Sequence, residues 1–302
     1  MNALCISGGA TKIVGEFGVA EQIFQKFRPE YIAGVSAGAI LALALPTIDW
    51  EKECNCKSSK LKNTLLNMKE KDLWTVNPTN SEGGLSIKAV IRAVAGYSSF
   101  GDMSKTGNFI KSVVTEKLFY DKIVNSNNYK GIFVGSICYN TGHRAYIDLK
   151  KCKYEEAISW VLASSSIPVY TEPYKYNDYY YFDGGVRNHS PGPWMLENHG
   201  KEIDNMISIF SRPQDYNVID QKWEPTNVYK VLERTIEIMQ IELSKSDEKE
   251  EISLSKEFGV NLDQLFLPKV LEGLYDTNVR RLWTLYMEGL RIGKEYNERT
   301  NK

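Results

Sequence analysis

Apolar residues recur along this chain in two rhythms that alternate from the first residues onward. Ala3-Leu4-Cys5-Ile6 is a short uncharged run of the kind that forms a buried parallel strand. Ser7-Gly8-Gly9-Ala10-Thr11 follows, a turn that only small residues can make. From Gly15 to Phe27, the residues Phe17, Val19, Ala20, Ile23, Phe24 and Phe27 repeat at helical spacing, and Pro29 ends that helix. Tyr31-Ile32-Ala33 is a second buried strand, and Ala39 to Leu45 a second buried helix. The pattern predicts a βαβ unit with a right-handed connection.

Further on, Pro46 to about Lys71 predicts a solvated connection and then a charged helix. Leu85 to Ala95 and Phe109 to Leu118 have helical spacing. Gly131 to Asn140 is strand-like, and Ala145 to Leu149 is its expected hairpin partner across Asn140-Thr141-Gly142. Helices are predicted over Tyr154–Ser164, Val228–Leu243 and Asp276–Glu298, and a strand over Asn205–Ser211. The charged, serine-containing run Ser244–Glu251 predicts a solvated loop or helix end. No repeat, low-complexity tract or composition shift divides the chain, so one α/β domain over 1–302 is expected.

Gly34-Val35-Ser36-Ala37-Gly38 lies between the second strand and the second helix. Strand, G-x-S-x-G, helix is the setting of a nucleophile elbow. The turn lifts a serine hydroxyl off the sheet and sets it at a helix N-terminus, where the Ala37 N–H can face a developing anion. Gly34 and Gly38 are required because a side chain there collides with the adjoining strand or helix. The competing reading is a small-residue turn that serves only close packing. A serine nucleophile needs a base. Three histidines are available. His143 sits in the expected hairpin turn, and His199 ends a helix. His189 follows Tyr181-Phe182-Asp183-Gly184-Gly185-Val186-Arg187-Asn188, where Asp183 is the better candidate. Asp-Gly is also a common hairpin turn, and that reading competes.

Taken in order, Ser7-Gly8-Gly9-Ala10-Thr11-Lys12, the Ser36 elbow, Ala163-Ser164-Ser165-Ser166-Ile167-Pro168 and Asp183-Gly184-Gly185 through Pro191 resemble the patatin-like phospholipase family. The resemblance runs from the first residue to about Pro191 and more loosely to Pro213, with a C-terminal helical region over 214–302. It implies a central, mainly parallel sheet flanked by helices in a three-layer sandwich. It implies a phospholipase A-type lipid acyl hydrolase that forms an acyl-enzyme. Ser36 maps to the nucleophile and Asp183 to the base of a Ser-Asp dyad. The backbone amides of Gly8, Gly9, Ala10 and Ala37 map to the oxyanion hole. Lys12, Gly34, Gly38, Gly184, Gly185 and Asn188 map to supporting positions. Lys12 is expected to steady the loop or meet a substrate phosphate. Two departures stand out: Ala10 replaces a frequent third glycine, and Ile13 replaces a frequent glycine after the basic residue. They keep a catalytically weak or inactive lipid-binding scaffold in play. A Ser-His acyltransferase or α/β-hydrolase is the other rival, although its elbow usually follows several strands.

The formal net charge of −1 gives no reason to expect nucleic acid. The implied partner is a phospholipid or other acyl lipid, with peripheral contact at a membrane surface. Five cysteines without a disulfide framework predict a reducing, cytoplasmic setting, and Cys54-Asn55-Cys56 lacks the companions of a zinc site. Neither metal nor cofactor is expected. The longest apolar run, Ala37 to Leu45, is about half a membrane span. Tyrosines from Tyr170 to Tyr181 suit either a lipid interface or strand packing, and Gly96–Gly107 either a mobile lid or an ordinary exposed loop.

Overall fold

The computed structural model describes residues 1–50, 60–80, 84–216, 223–273 and 275–300. Cys54 and Cys56 lie outside them. The strands are β1 (Asn2–Ile6), β2 (Tyr31–Val35), β3 (Gly131–Cys138), β4 (Arg144–Asp148), β5 (Tyr174–Tyr176), β6 (Tyr179–Asp183), β7 (Asn205–Phe210) and β8 (Asn261–Phe266). The longer helices are α1 (Ile13–Ile23), α2 (Ala37–Ala44), α3 (Lys60–Leu66), α4 (Ile87–Val94), α5 (Ser104–Val113), α6 (Tyr154–Ser164), α7 (Gly192–His199), α8 (Val228–Phe258) and α9 (Val279–Arg299).

The sheet runs β5-β6-β3-β2-β1-β7-β8, with β4 also on β3. The central strands β3, β2, β1, β7 and β8 are parallel, and β4, β6 and β5 join antiparallel. Successive residues of β1 serve opposite faces, as strand geometry requires. Leu4 and Ile6 enter a core with α1, α2, α6 and α9. Ala3 and Cys5 enter a second core with Met195 and Leu196 of α7 and Leu254 and Phe258 of α8. The result is a mainly parallel sheet between two helical layers.

One detail of register positions the site. Residues 133–135 pair with both β2 and β4, so those two strands occupy opposite edges of β3. Residues 136 and 137 pair with both β4 and β6, so β6 takes the edge that β2 has just vacated. β2 ends opposite Gly135, and Asp183 at the end of β6 pairs with Ser136. The residue after β2 is Ser36. Two residues far apart in sequence therefore meet head-on above β3.

The C-terminal region joins the same body. Helix α9 lies along α1 at backbone contact, because glycines remove side chains from both surfaces. A Cβ on Gly289 falls 2.1 Å from the Gly15 carbonyl oxygen, and one on Gly18 falls 2.5 Å from that of Tyr286. Gly18→Val forces these helices apart, with an expected cost of about 3 kcal/mol. A lowered urea midpoint at constant slope checks this; an unchanged midpoint shows that the pair is not tightly packed.

Two sequence expectations need correction. The run Ser244–Glu251 is neither loop nor helix end but the middle of α8, with Ser244, Asp247 and Glu251 buried. Its acids hold the segment after Asp183. Asp247 accepts hydrogen bonds from the Asn188 side-chain amide at 2.9 Å and the Ser190 N–H at 2.8 Å. Glu251 accepts from the Ser190 hydroxyl at 2.5 Å and the Gln264 amide at 3.0 Å. The second concerns Phe109–Leu118. There α5 runs from Ser104 to Val113, and a separate turn covers Glu116–Phe119, capped by the Thr115 hydroxyl.

Candidate active site

Ser36 occupies the elbow with φ +56° and ψ −125°, backbone angles that a non-glycine residue adopts only at a cost of about 1–3 kcal/mol. The turn is held on every side. A Cβ on Gly34 falls 2.1 Å from the Gly38 carbonyl oxygen, and one on Gly38 falls 2.4 Å from that of Ile6. Both glycines are thus demanded by backbone packed on backbone. Three serines complete the clamp. Ser164 Oγ accepts from the Ser36 N–H at 2.9 Å and donates to the Gly135 carbonyl at 2.6 Å. Ser165 Oγ donates to the Ser36 carbonyl at 3.1 Å, and the Ser166 carbonyl accepts from the Asp183 N–H at 2.8 Å. The serine run at the end of α6 therefore fixes the backbone of both Ser36 and Asp183. The sequence marks this run through its family resemblance, without a role.

Asp183 does not make a hairpin turn. It ends β6 and caps a short 3-10 turn over Gly184–Val186, accepting from the Gly185 N–H at 2.7 Å through Oδ1. Gly184 packs with a would-be Cβ 2.5 Å from the Gly135 carbonyl oxygen. The carboxyl is buried, and burial pushes its pKa up to about 7, against the Ser36 hydroxyl and the Gly185 amide, which favour the charge. The hydroxyl is thus near enough to act on the carboxylate, while Oδ2 completes no hydrogen bond of standard geometry. Pairs of this kind are often loosely aligned without substrate and tighten when it binds.

Beside Ser36, Gly8 comes so close that a Cβ on it falls 3.0 Å from the Ser36 Cβ. The Gly8 N–H donates to the His189 carbonyl at 3.0 Å. The Gly8 amide, expected in the oxyanion hole, is thus committed in this conformation. The amides of Gly9, Ala10 and Ala37 donate to no atom among the described residues. Ala10 stands at φ +48°, in the left-handed region where a Cβ is disfavoured. Ala10→Gly is expected to leave stability equal or higher. Ala10→Val lowers it by on the order of 2 kcal/mol, because a β-branched side chain suits that region least. Thermal unfolding of the two variants checks the pair, and equal losses refute the strain.

Ser36 opens onto an apolar cavity of about 50 Å³. Ile40, Leu65, Met68, Leu73, Phe109 and Tyr275 are among the residues of its wall. Ile13, the second departure from the family pattern, also lines it and begins α1. Lys12 faces elsewhere, into a separate cavity behind the glycine loop. Asn188 supports the segment from a distance, through Asp247. His143 is exposed in the hairpin turn, and His199 stacks on Tyr31 at the end of α7. His189 is buried without a hydrogen bond on Nδ1, and burial, Lys12 and Arg212 depress its pKa to about 3.

The segment 96–101 is tied down rather than free. Phe100 and Gly101 donate to the carbonyls of Val169 and Tyr170 at 2.8 and 2.9 Å. Tyr174, Tyr176 and Tyr181 pack around Trp160, while Tyr179 and Tyr180 are exposed. No helix among the described residues is long and apolar enough to cross a membrane.

Among solved structures, VipD from Legionella pneumophila aligns with 97% of this chain at 13% identity and a TM-score of 0.47. The chain spans 66% of the length of VipD. No curated protein matches the chain. The family model described as patatin-like phospholipase matches residues 4–191, a stretch that holds the glycine loop, the elbow, the serine run and Asp183-Gly184-Gly185. The chain belongs to the patatin-like phospholipase family.

Proposed function

We propose that this protein is a lipid acyl hydrolase that works through an acyl-enzyme on Ser36, with Asp183 as the base. One observation carries the reading: a strained serine lines an apolar pocket, with a desolvated carboxylate near enough to its hydroxyl to feel it. Ser36 Oγ attacks the ester carbonyl as Asp183 takes its proton. The oxyanion is held by the free amides of Gly9, Ala10 and Ala37, each worth on the order of 3–4 kcal/mol of barrier. The proton passes to the leaving alcohol. A water activated by the same carboxylate then releases the fatty acid. An aspartate of ordinary pKa is a poor base for a hydroxyl, and the burial that lifts Asp183 to about 7 improves the match.

Contact with a lipid surface is part of the proposal. Helix α4 buries only Ala89 and turns Ile87, Val90, Ile91 and Val94 to solvent, with Ile87 and Val94 81% and 85% exposed. These positions form one stripe at helical spacing. The periodicity reads as a helix, but the stripe faces outward. The chain runs from α4 into the segment tied to Val169–Tyr170, and then to Met103 and Phe109 in the pocket wall. A cytoplasmic setting fits the free thiols of Cys5, Cys138 and Cys152.

A non-catalytic scaffold draws on one feature, the Gly8 amide spent on His189. A fluorophosphonate probe separates the two readings, because it labels only an activated hydroxyl. Labelling at Ser36, with fatty acid and lysolipid released from mixed phospholipids, is the expected result. No labelling and no release support the scaffold, and head-group cleavage contradicts acyl hydrolysis.

A further inference from the structure

The second cavity, of about 620 Å³, lies behind the glycine loop. One short turn separates it from the acyl pocket. Ala10, Thr11 and Ile13 line the acyl pocket, while Lys12 of the same turn lines the second cavity. Its floor is built onto the loop. The His189 carbonyl holds the Gly8 N–H, and the Ser211 hydroxyl donates to the Gly8 carbonyl. Its roof is α8, with the segment carrying Lys269 closing one side.

We propose that this cavity binds a phosphate-bearing anion, with Lys12 as its principal contact and Lys269 and His189 beside it. The charges around the cavity divide into two groups. Lys230 pairs with Glu233 at 2.8 Å and Arg234 with Glu237 at 2.6 Å. Arg212 is engaged by Ser244 and Glu248. No carboxylate lies within ion-pair distance of Lys12 or Lys269 among the described residues; Lys12 is largely buried, and the exposed Lys269 donates to the Tyr216 hydroxyl at 2.8 Å. The nearest acid in sequence, Glu16, forms no ion pair with Lys12. Its carboxyl accepts from the Ser7 hydroxyl at 3.2 Å, and burial lifts its pKa to about 8, against the Ser7 hydroxyl and the Lys12 charge.

The like charges also oppose one another. Burial and the Lys269 charge lower the Lys12 pKa, against the pull of Glu16 and Glu237. His189 is more than nine-tenths buried, lines the cavity, and makes no side-chain hydrogen bond among the described residues. A largely buried lysine with no ion pair among the described residues, beside a second lysine, is stabilised by an anion that accepts from several donors at once. A phosphate group does this. Its source is either the headgroup of the lipid substrate or a free phosphate ester. The headgroup case rests on the acyl hydrolase reading; phosphate binding itself does not.

The test uses the full chain with inorganic phosphate and glycerol 3-phosphate, each against chloride at equal ionic strength. Thermal unfolding and titration calorimetry read binding without turnover. Millimolar phosphate is expected to raise the wild-type Tm. Lys12→Met is expected to abolish that rise, and Lys269→Met to weaken binding about tenfold, as fits the loss of one charged contact. The Lys269 variant keeps the test decisive if Lys12→Met does not fold. No rise beyond chloride in the wild type, or an equal rise in all three proteins, overturns the proposal. Turnover then separates the sources. A free phosphate ester that acts as effector raises kcat on a short neutral ester. A headgroup site shows as a KM that Lys269→Met increases more for phospholipid than for the neutral ester. Binding without any turnover leaves the anion site standing and removes the hydrolase reading.

Discussion

Ser36→Ala and Asp183→Asn are each expected to abolish acyl-ester turnover in a protein that remains folded. Loss of the nucleophile removes the covalent route, and such changes cost on the order of 10⁴-fold or more in kcat. Loss of a positioned base costs about 10²–10⁴-fold. The carboxamide that replaces the Asp183 carboxyl is isosteric with it and can still accept from the Gly185 N–H through Oδ1. What it cannot do is take a proton from Ser36. Its folded state is also free of the desolvation cost that raises the aspartate pKa to about 7. Asp183→Asn is therefore expected to be inactive yet no less stable than wild type at pH 8. A variant both inactive and unfolded assigns Asp183 to structure alone. Near-normal turnover in Asp183→Asn, with loss in His189→Ala, moves the base to His189.

The histidine rival is physically weak for a stated reason. His189 sits across Gly8 from Ser36: a Cβ on Gly8 falls 3.7 Å from His189 Nε2 and 3.0 Å from the Ser36 Cβ. Yet burial, Lys12 and Arg212 hold the ring pKa near 3. An imidazole so reluctant to accept a proton is a poor general base at neutral pH. The Asp183 carboxyl has been moved the other way, toward the working range.

The elements around the site are legible in the sequence because their signals are local. The uncharged runs at Ala3–Ile6 and Tyr31–Ala33, the glycines between and after them, and the apolar helix to Leu45 allow little but a βαβ unit with an elbow. The meeting of Ser36 and Asp183 is not legible from spacing. It depends on β6 taking the edge of β3 where β2 stops, a matter of pairing between distant segments. Family resemblance supplies that link. The acids of Ser244–Glu251 mislead because Asp247 and Glu251 look solvated in sequence, while their partners Asn188, Ser190 and Gln264 lie far away. Strand β8 gives no local signal: Asn261-Leu262-Asp263-Gln264-Leu265-Phe266 is short and polar, and only its parallel partner β7 makes it a strand. Ser164 and Ser165 are equally opaque, since a serine run carries no periodicity.

Turnover and stability are expected to move in opposite directions as pH rises from about 5 to 8. Turnover needs the charged form of Asp183, whose pKa burial lifts to about 7. At two pH units below that value only about one carboxyl in a hundred is ionised, so kcat/KM is expected to fall roughly 100-fold from pH 8 to pH 5. Stability follows the proton balance between folded and unfolded chains. Burial raises Glu16 to about 8, Glu251 to about 7 and Asp247 to about 6, in addition to Asp183. In the unfolded chain these groups ionise near pH 4. Across the window the folded state therefore binds more protons. A raised carboxyl pKa gives stability that is full below the unfolded value and is lost as pH climbs through the folded one. The four acids together are expected to remove on the order of 10 kcal/mol between pH 5 and 8, if each titrates alone at the value burial gives it. Urea unfolding across the window, beside initial rates on a soluble ester, tests both limbs. Neutral substitution of Asp183 removes only its own share of the stability slope, whereas Glu251→Gln reduces the slope while leaving the apparent pKa of turnover in place. A turnover limb that shifts with Glu251→Gln and a stability that rises toward pH 8 are the results that contradict this account.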